Sequence, residues 1–375
     1  MRRGLLLCCS FFVALCLGEA LVRLQGADPH PAAAYRFHPR YGWTEGPEAV
    51  RTDRPEPPDV PSQTDGQGRS AAARVLILGD SFTYAVEQPW GWSFPGLVAE
   101  DLTARGGSLL SLSAGGWGTA QEYLALVHEG LPWKPDVVVL QVFPFNDLCN
   151  NGIELAHTCS WQDHLRPYFV PGGAGLKQTW VQPLRGWVRS ISRLVGLFDR
   201  WDWARRVGSP GESVAEFRRR TREFTRANSR AIGLGREPKI YSLLPPAAQP
   251  EPIRRAWTVT EALFARLRAE LEERGIPLVA VVIPMNKTFP PEWETYRSKL
   301  PPAVEPDYGT RHTEEIFSRM GVPVISVRRQ IERHELVAGE FFNRRNRHLS
   351  ALGHRWTARW ILEELSRVPT PTEPG

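Results

Sequence analysis

The stretch Val75-Leu76-Ile77-Leu78-Gly79-Asp80-Ser81-Phe82-Thr83 changes character abruptly at Gly79. A continuous apolar run of this length, rich in leucine and β-branched residues, fits a strand buried on both faces. It ends in Gly-Asp-Ser, so a sharp turn that glycine permits leaves Ser81 just past the carboxyl end of the strand. Open parallel sheets bind their ligands at that edge. A serine placed there is a candidate nucleophile if a base can reach it. Taken alone, Asp80-Ser81 reads equally well as the cap of a following helix.

Comparable runs recur along the chain. With Arg74–Leu78 they give five candidate strands, the others being Leu109–Leu112, Asp136–Val142, Pro277–Ile283 and Val322–Ser326. Helical periodicity appears near 93–105, 119–130, 257–274, 311–319 and 350–367. Strands alternating with helices predict an α/β domain with a doubly wound parallel sheet. The rhythm breaks from about 150 to 250, where Trp, Arg, Gly and Pro abound and no clear strand appears. That stretch is expected to be an insertion after the third strand, overhanging the ligand edge. Its Trp180, Trp187, Trp201 and Trp203 either form a small core of their own or offer a platform for sugar rings. The arginines from Arg218 to Arg230 read as a solvated helix face.

The 375 residues allow one large domain or two ordinary ones, and 42% hydrophobic with 23% charged residues is ordinary globular usage. Global disorder is thereby excluded. Basic residues exceed acidic ones by 46 − 41 = 5, a balance too mild to imply a nucleic-acid partner. The chain opens with Arg2-Arg3, an apolar run from Leu5 to Leu17 and small residues at Gly18 and Ala20. This is the pattern of an export signal, so residues 1–26 are expected to be a signal peptide or an N-terminal membrane anchor. The protein is accordingly expected outside the cytoplasm. Residues 27–73 show no helical or strand period and read as an irregular lead-in. The folded domain is expected over 74–368, with 369–375 a disordered tail. Of five cysteines, Cys8, Cys9 and Cys16 lie in the leader. Cys149 and Cys159 are left either to close one short loop as a disulfide or to stand as two buried thiols.

Three further blocks carry chemistry. After the second strand, Ser113-Ala114-Gly115-Gly116-Trp117-Gly118-Thr119 is a glycine-rich turn opening a helix, where a backbone N–H can approach a ligand oxygen closely. After the third, Phe143-Pro144-Phe145-Asn146-Asp147 puts a side-chain amide at the same edge. The N–H groups of Ser81 and Gly116 with the amide of Asn146 would form a three-donor oxyanion hole. His348 precedes the last helix and can serve as base. His354, six residues on, reads as a packing or capping residue. No Cys/His spacing suits a metal and no phosphate-cradling loop is present.

These four blocks resemble those of the SGNH (GDSL-type) hydrolase superfamily in order, spacing and placement after successive strands. Gly79-Asp80-Ser81-Phe82 resembles its first block, Gly116 the glycine of the second, Asn146-Asp147 the asparagine block, and His348 the final histidine. The resemblance spans roughly 70–375 and matches the insertion only loosely. It implies a three-layer α/β/α sandwich with a five-stranded, flavodoxin-like parallel sheet. It also implies esterase, lipase or acyl-transfer activity without a cofactor, and an acyl-ester substrate.

The chain departs from the pattern at one point. The family's aspartate two or three residues before the histidine is replaced by Asn346 and Arg345. The site would then run with Asn346 orienting the ring, or as a Ser81–His348 dyad helped by a backbone carbonyl, or not at all. Arg345 and Arg347 beside His348 would disfavour the imidazolium unless they point to solvent or bind an anionic substrate. The leading expectation is an exported serine esterase or acyltransferase acting on O-acetyl groups of a carbohydrate or cell-envelope polymer. The alternative is a non-catalytic binding or assembly protein with a degenerate site.

Overall fold

The computed structural model describes residues 2–24, 35–38, 40–45, 73–85, 87–155, 166–173, 175–180, 192, 194–195, 238–344 and 346–368. In chain order, these include helix α1 (Arg2–Leu24) and strands β1 (Tyr35–His38), β2 (Gly42–Glu45) and β3 (Arg74–Gly79). Then follow helices α2 (Ser81–Tyr84) and α3 (Phe94–Ala104), strand β4 (Ser108–Ser113), helix α4 (Thr119–Ala125), strand β5 (Val137–Val142) and helix α5 (Pro144–Asn151). Strands β6 (Pro167–Gly172) and β7 (Gly175–Trp180) precede helix α6 (Glu251–Glu272) and strand β8 (Leu278–Val282). Helix α7 (Tyr308–Arg319), strand β9 (Val324–Ser326) and helices α8 (Val327–Arg333) and α9 (Ala351–Leu365) complete the order.

The central sheet has the order β4-β3-β5-β8-β9 and every pair in it is parallel. Numbered by its own strands this is 2-1-3-4-5, the flavodoxin-like arrangement, with its switch point between β3 and β5. All five expected strands form, each within a residue or two of its expected bounds. Strand side chains alternate between the sheet's two faces. Leu76, Leu78, Val138, Leu140, Ala280 and Val282 face one way and pack with Leu263, Phe264 and Leu267 of α6 and Phe317 of α7. Val75, Ile77, Val137, Val139, Val279 and Val281 face the other way and pack with Phe94 and Val98 of α3 and Trp360 and Ile361 of α9. Each buried Val, Leu, Ile or Phe side chain among them contributes about 1.5–3 kcal/mol relative to exposure. The three-layer sandwich follows from a sheet that is apolar on both faces.

Two hairpins depart from the sequence reading. β1 and β2 pair antiparallel within the lead-in, and β6 and β7 pair antiparallel within the insertion, two places where no strand was expected. Both are short two-stranded ribbons, and β6 carries Pro167 at its start and Pro171 near its end. Such residues read as turn signals, although proline is tolerated at strand ends.

Trp180 ends β7 and is buried. Trp187, Trp201, Trp203 and Arg218 to Arg230 lie outside the described residues, as do Arg345 and the 369–375 tail. Cys149 is disulfide-bonded, and Cys159 lies outside the described residues. No described helix is long and apolar enough to cross a membrane. Within α1, Glu19 accepts from Arg23 at 2.7 Å, from the Ser192 hydroxyl at 2.8 Å and from the Leu194 N–H at 2.9 Å.

Candidate active site

The turn after β3 is fixed by atoms that leave no room for a side chain at Gly79. A Cβ there would lie 2.2 Å from Thr83 Oγ1 and 2.5 Å from Gln141 Oε1. Gln141, the polar member of otherwise apolar β5, uses that oxygen to accept from the Asp80 N–H at 3.1 Å and from the Thr83 hydroxyl at 2.9 Å. Asp80 caps α2 by accepting from the Phe82 N–H at 2.9 Å, and its other oxygen accepts from Asn146 Nδ2 at 2.6 Å. Burial raises the Asp80 pKa, and these donors offset only part of the effect. Asp80 thus caps α2 in the same turn that sets Ser81 at the sheet edge.

Ser81 Oγ lies 2.9 Å from Nε2 of His348. The histidine stands in a tight loop closed by the Asn343 N–H donating to the His348 carbonyl and the Arg347 N–H donating to the Asn343 carbonyl, both at 2.8 Å. The ring meets the edge of Phe82 with centroids 5.0 Å apart. Its other nitrogen, Nδ1, lies 2.6 Å from Oε1 of Glu87. Serine, imidazole and carboxylate are therefore joined in one continuous relay.

Glu87 is the residue that sequence reasoning missed. Asn346 does not meet the ring at all, because its side-chain oxygen accepts from the backbone N–H of His348 at 3.1 Å. The carboxylate absent from positions 345 and 346 comes instead from the loop after α2. That loop reverses at Ala85, which adopts a left-handed φ of 48° and donates its N–H to the Ser81 carbonyl at 3.0 Å. An acid six residues beyond Ser81 was visible in the sequence, but only the path of the loop shows where it points.

Burial works against a charged His348, yet the hydrogen bond and charge of Glu87, with the charge of Asp80, outweigh it and raise its pKa above 6.5. Burial likewise opposes the Glu87 carboxylate, but the bond to His348 and its charge lower the Glu87 pKa. Arg347 is exposed at a left-handed φ of 70°. His354 is buried, accepts the Phe94 N–H on Nδ1 at 3.2 Å and takes no part in the relay. Burial holds its pKa down at about 3.

The oxyanion-hole candidates emerge side by side. Register pairs Gly79 with Ser113 and Leu78 with Leu140, so the turns after β3, β4 and β5 share one sheet edge. Gly116 sits at a φ of +77°, the left-handed region that favours glycine. Asn146 gives one amide hydrogen to Asp80, and a primary amide has a second. Asp147 ties the second block to the third. Its Oδ1 accepts from the N–H of Thr119 at 2.9 Å and its hydroxyl at 2.7 Å, while Oδ2 accepts from the Phe143 N–H at 2.9 Å. Burial, with the nearby charge of Asp80, pushes the Asp147 pKa up to about 7.

Residues 247–374 match the family described as SGNH hydrolase-like domain, acetyltransferase AlgX. The matched stretch contains His348 and stops short of the blocks at Ser81, Gly116 and Asn146. No curated protein matches the sequence. Among solved structures, an α/β hydrolase from the metagenome of Lake Arreo, Spain, is similar at 13% identity and a TM-score of 0.40, covering 80% of this chain and 97% of its own. An acetyl-xylooligosaccharide esterase of Geobacillus stearothermophilus is similar at 10% identity and a TM-score of 0.39, covering 78% and 94%. The acetyl xylan esterase AlAXEase gives 14% identity and a TM-score of 0.36, covering 78% and 99%. Similarity at that level carries no functional argument. The family match accords with an ester-acting hydrolase or acetyltransferase.

Proposed function

We propose that this chain, a member of the SGNH hydrolase superfamily, is a serine acyl-enzyme catalyst that removes or transfers an acetyl ester on a carbohydrate or envelope polymer outside the cytoplasm. The observation that carries the reading is the relay Ser81 Oγ to His348 Nε2 at 2.9 Å and His348 Nδ1 to Glu87 Oε1 at 2.6 Å. Ser81 Oγ attacks the acyl carbon while its proton passes to Nε2. Glu87 holds the Nδ1 proton and balances the imidazolium charge. The N–H groups of Ser81 and Gly116 and the free amide hydrogen of Asn146 receive the oxyanion. Collapse breaks the ester C–O bond, and the departing alcohol takes the proton from Nε2. Water or a sugar hydroxyl then gives a proton to His348, attacks the acyl-enzyme and releases Ser81.

The acetyl group is favoured by the acetyltransferase description of the matched family. The Arg2-Arg3 opening with its apolar run, and a disulfide at Cys149, support an oxidising, extracytoplasmic setting. A degenerate binding protein has no observation in its favour once Glu87 is counted as the carboxylate. The test is hydrolysis of p-nitrophenyl acetate by the purified full chain and by Ser81→Ala. Turnover by the wild type that disappears in the variant is expected. Equal turnover by both would contradict the reading.

A further inference from the structure

The peptide that presents the Gly116 N–H is held from outside the hydrolase sandwich. Trp43 lies in the β1–β2 hairpin and is fully buried, and its Nε1–H donates to the Gly115 carbonyl at 3.1 Å. That carbonyl and the Gly116 N–H are opposite ends of one planar trans peptide. Anchoring the oxygen therefore sets the direction of the N–H. The Trp43 carbonyl in turn accepts from Trp117 Nε1 at 2.9 Å, so the hairpin grips both sides of the glycine pair.

The next peptide is held as well. The Gly116 carbonyl accepts from Arg166 Nη2 at 2.6 Å and from Asn150 Nδ2 at 3.1 Å. Arg166, just before β6, is 1% exposed and places its guanidinium 5.2 Å from the centre of the Trp43 ring. Gln121 Nε2 donates to the Tyr41 carbonyl at 2.7 Å and seats the hairpin on α4. A Gly-Gly peptide has no side chain to bias its orientation, and φ at Gly116 is already positive. Its direction must be imposed by neighbours.

We infer that Trp43, through the Gly115 carbonyl, and Arg166, through the Gly116 carbonyl, are positioning residues that fix the two peptides flanking Gly116 and keep its N–H turned to the oxyanion, which makes the N-terminal hairpin part of the catalytic apparatus. This rests on the proposed role of the Gly116 N–H. The clamp acts on transition-state charge rather than on substrate affinity, so it predicts a fall in kcat with KM held.

The test is Trp43→Phe in the full chain, which removes the N–H and keeps most of the ring. Active sites are counted with a fluorophosphonate, and p-nitrophenyl acetate kinetics are measured alongside inhibition by a boronic acid that forms a tetrahedral adduct on serine. Removing one oxyanion donor outright costs about 10²–10³-fold in kcat. A donor set loose rather than removed is expected to cost about 10-fold or more per active site, with KM within about twofold and boronate affinity weakened in parallel. Unchanged kcat, or a fall in kcat with boronate affinity intact, would overturn the clamp. Should Trp43→Phe fail to fold, Arg166→Met is read by the same split, and wild-type kcat there overturns it too. Full hydrolysis by Ser81→Ala would instead overturn the serine mechanism on which the clamp rests.

Discussion

Glu87 Oε1 stands 2.6 Å from His348 Nδ1 across 261 residues of sequence. The carboxylate that meets the imidazole therefore comes from the loop that follows Ser81 rather than from the histidine's own loop. Serine and acid enter the site together on the turn out of β3, and the histidine arrives on the loop that leads into α9. The relay is consequently sensitive to how two separate loops are seated on the sheet.

Loss of the Glu87 charge should show in both rate and pH profile. In a serine protease, replacing the triad acid by its amide costs about 10⁴ in turnover. Glu87→Gln is expected to lower kcat for p-nitrophenyl acetate by about 10²–10⁴-fold. The base must be neutral to act, and its pKa is raised in the wild type, so the acid limb of kcat/KM should lie above about pH 6.5. In the variant burial remains while the counter-charge is gone, and the limb should move to lower pH. An unmoved limb would show that Glu87 does not act on the ring.

Asn346 should matter little to the chemistry. It holds the backbone N–H of His348 at 3.1 Å, and an aspartate accepts the same bond. Asn346→Asp is expected to stay within about threefold of wild-type kcat. A large rise would mean that residue 346 reaches the imidazole after all.

Gly79 is constrained by space. With Thr83 Oγ1 and Gln141 Oε1 inside 3 Å of a built Cβ, Gly79→Ala must displace the contacts that seat Asp80 and Ser81. Overpacking of this kind costs about 1–3 kcal/mol, read as a lower Tm, and a loss of turnover should accompany it. Wild-type Tm in the variant would show that the turn yields freely.

Glu122, on α4, is fully buried and neither of its carboxyl oxygens has a hydrogen-bond partner. Burial, reinforced by the charges of Asp147 and Asp80, raises its pKa well above 4.5. The folded state therefore keeps a proton that the unfolded chain loses above its ordinary pKa, and stability falls as pH rises from there through the folded value. Gln cannot titrate. The Tm advantage of Glu122→Gln over the wild type should grow between about pH 5 and pH 8, and a difference independent of pH would contradict a protonated Glu122.

Much of the architecture was legible because it rests on local pattern. The β3 and β5 runs are apolar without interruption except at Gln141, and only a sheet covered on both faces hides such strands. Ser81, Gly116 and Asn146 lie in the turns directly after β3, β4 and β5, and His348 lies just before the last helix, places where the family resemblance marks those residue types. Glu87 was not legible, since its place depends on a left-handed Ala85 that no motif marks. The two hairpins escaped for another reason. Strands of four to six residues, three of the four carrying Gly or Pro, have too few alternating positions to register, and tertiary contacts such as that of Trp43 with Gly115 hold the β1–β2 hairpin in place.

The central claim is that Ser81, activated by His348 and Glu87, forms the covalent intermediate. The most direct measurement is the site and rate of fluorophosphonate labelling, read by peptide mass mapping in the wild type, His348→Ala and Glu87→Gln. A single adduct on Ser81 is expected, formed about 10²-fold or more slowly in either variant. An adduct on another residue, or labelling of Ser81 at the wild-type rate without His348, would contradict the account.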